Sequence, residues 1–189
     1  MAEFFRIDVH HHLSPPAYLE ALGEEVGPPL KYWSLAKSLE DMDEGEVGTA
    51  ILSVTQLTTR IDDREKLRRL ARECNDYSAK LVADHRGRFG MFAALPMPDI
   101  DGCLKEIEYG LDVLKADGIG LYTSYHDKWL GDPAFDPVFA ELERRKAVIY
   151  VHPVTPACCV NLVPGIQDAN IEYGTDTTRA IARMIFGGA

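Results

Sequence analysis

Five short apolar segments alternate with five amphipathic segments along the chain. The apolar segments show little alternation with polar residues, which is typical of strands that are buried on both faces of a parallel sheet. The predicted strands are residues 6–12, 49–54, 89–97, 118–123 and 147–154. The predicted helices are residues 34–43, 62–84, 101–115, 136–146 and 176–186. Repeated strand and helix units predict an α/β fold, either a doubly wound sheet or a TIM-barrel-like (β/α) repeat.

Length and composition indicate one folded domain over residues 1–189. The chain is 46% hydrophobic and 26% charged, and it contains no linker or low-complexity tract. It has no apolar stretch of about 18 residues, and its start lacks the pattern of a signal sequence. The four cysteines show no C-x-x-C spacing. We therefore expect a cytoplasmic protein with no membrane partner.

The net charge of the chain indicates which kinds of binding partner are expected. Its net charge is −10 and its isoelectric point is about 5.0. Nucleic acid is not expected as a partner, because phosphate backbones select basic surfaces. A small anionic substrate is compatible with this charge if a local cation offsets the field.

Histidines at the ends of two predicted strands indicate a metal site. His10 and His12 point to the same face of the first strand, because side chains alternate along a strand, while His11 faces the helical layer as a structural residue. His152 ends the fifth strand. In a barrel the carboxyl ends of the strands gather at one site, so His10, His12 and His152 are the candidate ligands of a divalent ion. The alternative is that they are hydrogen-bonded core histidines.

Two further features leave alternatives open. His126, in the loop after the fourth strand, either lines the mouth of a pocket or lies on a plain surface loop. Cys158 and Cys159 follow His152 closely and could supply thiolate ligands, but we favour simple packing of small side chains in that loop.

Several segments together resemble the amidohydrolase-related, metal-dependent decarboxylases typified by aminocarboxymuconate semialdehyde decarboxylase. The resemblance spans essentially the whole chain. It rests on RIDVHHHLSPPAY at residues 6–18, DMD at 41–43, GRFGMFAALPM at 87–97, GDPAFDPVF at 131–139, VHP at 151–153 and YGTDTTRAIA at 173–182.

This resemblance implies a barrel that holds zinc, or alternatively manganese, through a His-x-His pair on strand one, a His on strand five and an Asp on strand eight. His10, His12 and His152 match the first three ligands. The Asp, and a strand-six His that serves in acid–base chemistry, have no counterpart. The catalytic residues are therefore unknown, and the chain is expected to be C-terminally truncated, with about five of eight βα units. Two open sheet edges would then favour a homo-oligomer.

The activity that the resemblance implies is non-oxidative decarboxylation of a small unsaturated or aromatic carboxylic acid. Asp8 then either supports a metal ligand, lies in the barrel interior, or is a packing residue. Arg179 is a candidate substrate contact, as are His126 and Lys37. Asp176 either positions substrate or, as we favour, caps the last helix. The alternatives are metal-dependent hydrolysis of a lactone, amide or ester, and an inactive fragment or assembly module.

Overall fold

The structure is a computed structural model that describes residues 5–23, 26–55, 61 and 63–188. All five predicted strands are present, and a short hairpin lies between the fourth and the fifth. The strands are β1 (Arg6–His12), β2 (Val47–Ser53), β3 (Phe89–Ala94), β4 (Gly118–Tyr122), β5 (Ser124–Tyr125), β6 (Lys128–Trp129) and β7 (Ile149–His152).

All five predicted helices are also present, together with two short ones that the sequence pattern did not predict. The helices are α1 (Pro16–Leu22), α2 (Pro28–Lys31), α3 (Leu35–Glu44), α4 (Arg64–Asp84), α5 (Ile100–Glu108), α6 (Asp136–Arg145) and α7 (Ala169–Gly187). Residue 62, the predicted start of α4, lies outside the described residues. The cap of α4 is Asp63, whose side chain accepts a hydrogen bond from the Lys66 N–H at 3.0 Å.

The order of the strands decides between the two predicted sheet types. The sheet runs β1-β2-β3-β4-β7, and every neighbouring pair is parallel. A doubly wound sheet would reverse its strand order at a switch point, whereas strands in sequential order curl progressively into a barrel. The chain therefore forms about five βα units of a TIM-barrel-like fold, as predicted.

Burial falls from the middle of the sheet to its edges. Every residue of β3 is buried, because helices cover one face and the barrel interior the other. The edge strands expose apolar side chains, with Ile7 65%, Val9 53% and Val151 39% accessible. These edges are the open ones that the sequence predicts, and the homo-oligomer remains a prediction.

In the described part of the chain, no helix is both long enough and apolar enough to cross a bilayer.

Gly131 fixes the approach of α7 to the turn after β6. Its φ is +84°, and a Cβ at this position would lie 2.9 Å from the backbone N and Cα of Met184. Gly165 has a similar φ of +81°, but a Cβ there would meet nothing within 4 Å. Alanine substitutions at these two glycines therefore distinguish the stability lost to a left-handed backbone from the stability lost to a steric clash.

We expect Gly165→Ala to lower the free energy of unfolding by about 1–2 kcal/mol, the usual cost of a left-handed non-glycine residue. Gly131→Ala should cost about 1–3 kcal/mol more, because α7 must move away from the turn. Urea denaturation of both variants measures the difference. Equal losses in the two variants would show that α7 does not pack closely on this turn.

Candidate metal centre

Three histidine side chains converge at the carboxyl ends of β1 and β7. The Nε2 atoms of His10 and His12 lie 2.9 Å apart, and those of His12 and His152 lie 3.1 Å apart. One ligand atom from each residue lies within 4.8 Å of the other two. Because β1 and β7 are the first and last strands of the sheet, only a strongly curled sheet can bring these side chains together.

His11 lies outside this cluster, as the alternation along β1 predicts. Its Nδ1 lies 3.0 Å from Asp8 Oδ2, and its Nε2 lies 2.5 Å from the Ser38 hydroxyl on α3. His11 therefore joins β1 to the helical layer.

The Nδ1 atoms of two cluster histidines have partners that orient the rings. His152 Nδ1 donates to the Pro153 carbonyl oxygen at 2.7 Å, and His12 Nδ1 lies 3.0 Å from the Ser53 hydroxyl. Since a carbonyl can only accept, the hydrogen of a neutral His152 is on Nδ1 and the lone pair is on Nε2. Such partners commonly fix the tautomer of metal-binding histidines.

Burial keeps two of the three histidines, His12 and His152, in the form that binds metals. Burial, together with the neighbouring His152 and His10, lowers the pKa of His12 to about 4. Burial also lowers the pKa of His152, although the hydrogen bond to Pro153 partly offsets it. Neutral imidazole is the ligand form at neutral pH.

The spacing of the nitrogens also suits a metal ion. Zn–N bonds of about 2.0–2.1 Å in tetrahedral geometry place two ligand nitrogens about 3.3 Å apart. The two Nε2 separations that involve His12 are close to this value. The donor set therefore fits a divalent ion.

Asp8 borders the cluster without contacting a ligand imidazole. Its Oδ1 accepts the backbone N–H of His10 at 2.9 Å, and its Oδ2 pairs with the His11 ring. Burial raises the pKa of Asp8, but these hydrogen bonds outweigh burial and bring the pKa below its ordinary value. Asp8 thus shapes the backbone at His10.

A cleft of about 230 Å³ lies beside the cluster. Its lining includes His10, His12, Tyr32, Trp33 and Lys37. The Lys37 ammonium lies 3.0 Å from Glu40 and 2.8 Å from Asp41, and these hydrogen bonds raise its pKa. Any anion that contacts Lys37 must therefore compete with two carboxylates.

The other two predicted substrate contacts do not line this cleft. His126 is exposed in the turn between β5 and β6, with a φ of +54°. Arg179 lies on α7, where its Nη1 is 3.0 Å from the buried Glu172. On the same helix, Tyr173 lies with its ring 6.0 Å from that of His152.

Asp176 is not the helix cap that the sequence favoured. Helix α7 begins seven residues earlier, at Ala169, so Asp176 lies inside the helix and is completely buried. The prediction was wrong because it placed the helix start at residue 176 on the strength of Asp being a favoured cap, whereas the helix already includes the seven residues before it. The neighbouring Thr-Thr pair gave no sign of a buried carboxylate.

Comparisons with known proteins show similarity to one protein family and to named decarboxylases. The family described as amidohydrolase matches residues 7–189. The decarboxylase yanB of Aspergillus niger is 41% identical over 198 residues, which cover 97% of this chain and 54% of the relative. A 6-methylsalicylic acid decarboxylase of Penicillium expansum is 36% identical and covers 97% of this chain and 59% of the relative. The chain thus spans a little more than half the length of these relatives.

Solved structures share the fold. An amidohydrolase II superposes with a TM-score of 0.88 at 27% identity, covering 96% of this chain and 61% of that structure. A dihydroxybenzoic acid decarboxylase from Polaromonas sp. JS666, solved with bound manganese and 2-nitroresorcinol, superposes with a TM-score of 0.76 at 23% identity. The second match covers 95% of this chain and 60% of that structure.

Proposed function

The chain belongs to the amidohydrolase family, and from this premise we propose that it carries a divalent metal centre for non-oxidative decarboxylation of a small aromatic or unsaturated carboxylic acid. The observation that carries the proposal is the convergence of the Nε2 atoms of His10, His12 and His152. The names of the two similar decarboxylases support the reaction class, and that of the Penicillium relative supports an aromatic acid.

The three histidines would hold the ion through Nε2. Burial keeps His12 neutral, and the Pro153 carbonyl keeps the hydrogen of His152 on Nδ1. When bound, the ion supplies a positive charge that binds and orients the substrate carboxylate or a neighbouring oxygen. In the overall reaction the carbon–carboxylate bond breaks, carbon dioxide leaves, and the carbon takes a proton.

Zinc is the metal that we propose, because neutral imidazoles are a common zinc ligand set. Manganese is the alternative, and its presence in the Polaromonas structure supports that alternative. Elemental analysis of the purified chain distinguishes the two.

The cleft beside the cluster is the proposed substrate site. Its volume of about 230 Å³ is below the usual range for drug-sized ligands, which favours a molecule with a single ring. Lys37 is the cleft residue that we propose as a carboxylate contact. Arg179 and His126 lie elsewhere and remain predictions for this role, and Asp8 is proposed to support the backbone of His10.

Carbon dioxide release tests the proposed reaction. We expect the metal-loaded chain to release carbon dioxide from hydroxylated benzoic acids such as 6-methylsalicylate, and we expect His12→Ala to release none above the uncatalysed rate. A coupled carbonate assay, with lactones as control substrates, measures this. A metal-loaded chain that releases acid from lactones but no carbon dioxide would contradict decarboxylation and indicate hydrolysis.

A further inference from the structure

Helix α7 buries a carboxylate next to the strand end that carries His152. Asp176 is 0% exposed, and its two oxygens accept hydrogen bonds from three side chains. The donors are the Thr123 hydroxyl, the Ser124 hydroxyl at 2.9 Å and the Trp129 indole N–H at 2.5 Å. Burying a carboxylate is costly unless donors surround it, so this position requires a specific arrangement around it.

Thr123 connects this carboxylate to the segment that carries His152. The Thr123 backbone N–H donates to the His152 carbonyl oxygen at 3.1 Å. Its hydroxyl oxygen accepts the N–H of Val154 at 3.2 Å. A hydroxyl has one hydrogen, and here that hydrogen goes to Asp176, so a lone pair remains for Val154. Asp176 thereby fixes the orientation of the Thr123 hydroxyl.

These bonds hold the segment from His152 to Val154 at both ends. Pro153 lies between the two attachment points, and its carbonyl oxygen accepts the hydrogen bond from His152 Nδ1. Holding this carbonyl in place keeps the hydrogen on Nδ1 and the lone pair on Nε2, which faces His12 at 3.1 Å.

We infer that Asp176 is a positioning residue for His152, acting through the Thr123 hydroxyl and the Pro153 carbonyl. The inference rests on the proposed function, because it assigns His152 the role of metal ligand. A purely structural role would instead consist of joining α7 to the β5–β6 hairpin, which the bonds from Ser124 and Trp129 already do.

Four variants separate the two roles. Thr123→Val removes the hydroxyl and keeps the shape, whereas Thr123→Ser restores the hydroxyl. Asp176→Asn replaces the carboxylate. Trp129→Phe removes one hydrogen bond to Asp176 but leaves the link through Thr123 intact, so it controls for general loosening of α7. Thermal unfolding checks that each variant is folded. If Asp176→Asn does not fold, the comparison of Thr123→Val with Thr123→Ser still tests the inference.

The first measurement is the zinc dissociation constant by chelator competition. Loss of a residue that orients a ligand typically weakens metal binding about 10–100-fold. We expect this loss in Thr123→Val and Asp176→Asn, and less than about threefold change in Thr123→Ser and Trp129→Phe. Equal weakening in Thr123→Val and Trp129→Phe would overturn the inference, and so would no weakening in Thr123→Val.

The second measurement uses the metal-free chain and keeps the inference separate from the proposed function. Nitrogen-15 NMR of the histidine rings reports which nitrogen of His152 carries the hydrogen. We expect Nδ1–H in the wild type and in Trp129→Phe, and a mixture of tautomers in Thr123→Val. An unchanged His152 signal in Thr123→Val would overturn the inference. If the wild type binds no zinc but Thr123→Val still changes the tautomer of His152, the metal centre is refuted and the positioning role of Asp176 stands.

Discussion

Replacing His12 with alanine is expected to raise the dissociation constant for a divalent metal ion by more than about 100-fold, since loss of a residue that merely orients a ligand already costs about 10–100-fold. His12 is the central member of the cluster, because its Nε2 lies 2.9 Å from that of His10 and 3.1 Å from that of His152. Its removal leaves two imidazoles, fewer than the three protein ligands usual in a catalytic zinc site. Equilibrium dialysis against a zinc chelator measures the change.

The adjacent histidine provides the matched control. His11→Ala removes an imidazole from the same strand, but one that faces Asp8 and Ser38 rather than the cluster. We expect this variant to bind zinc within about threefold of the wild type, since no ligand or ligand partner is lost. If both variants lost zinc to the same extent, the cluster would not be the binding site.

Asn75→Ala is expected to lower the free energy of unfolding by about 3–5 kcal/mol, because two buried backbone groups and a buried carboxylate each lose a hydrogen bond at once. Asn75 lies on α4 and is 1% exposed. Its side chain bonds to the N–H and the carbonyl oxygen of Ala94 at 2.8 and 2.9 Å, and to Glu106 at 2.8 Å. It thus joins α4 to the end of β3 and to the buried carboxylate of α5.

Ser78→Ala is the matched control for this prediction. Ser78 is also buried on α4, but within the described part of the chain its hydroxyl bonds only to the carbonyl oxygen of Cys74 in the preceding turn. Since that carbonyl lies within the helix, the loss of the hydrogen bond from the Ser78 hydroxyl should lower the free energy of unfolding by less than about 1 kcal/mol. Urea denaturation measures both variants. A loss below about 1 kcal/mol in Asn75→Ala would show that the buried groups find other partners.

The sequence predicted the fold and the histidine cluster because both depend on local patterns. Strand periodicity placed His10 and His12 on the same face, and continuous apolar runs identified the buried strands. The barrel then brought His152 to the same end. The observed order of the strands confirms the fold. The Nε2 atoms of the three histidines lie close together across the curled sheet, and their role as metal ligands stays a prediction.

Other features depend on contacts between distant segments and left no local signal. The burial of Asp176 depends on Thr123, Ser124 and Trp129, more than 45 residues away along the chain.

Helices α1 and α2 were missed because the prolines that start them suggested loops, although proline is well suited to the first turn of a helix.

The metal content of the folded chain tests the central claim most directly. Elemental analysis after reconstitution with zinc or manganese and extensive dialysis should give about one ion per chain, as expected for one three-histidine site. This ion should be absent from His12→Ala and present in His11→Ala. A folded wild-type chain that retains no metal would contradict the claim that His10, His12 and His152 form a metal centre.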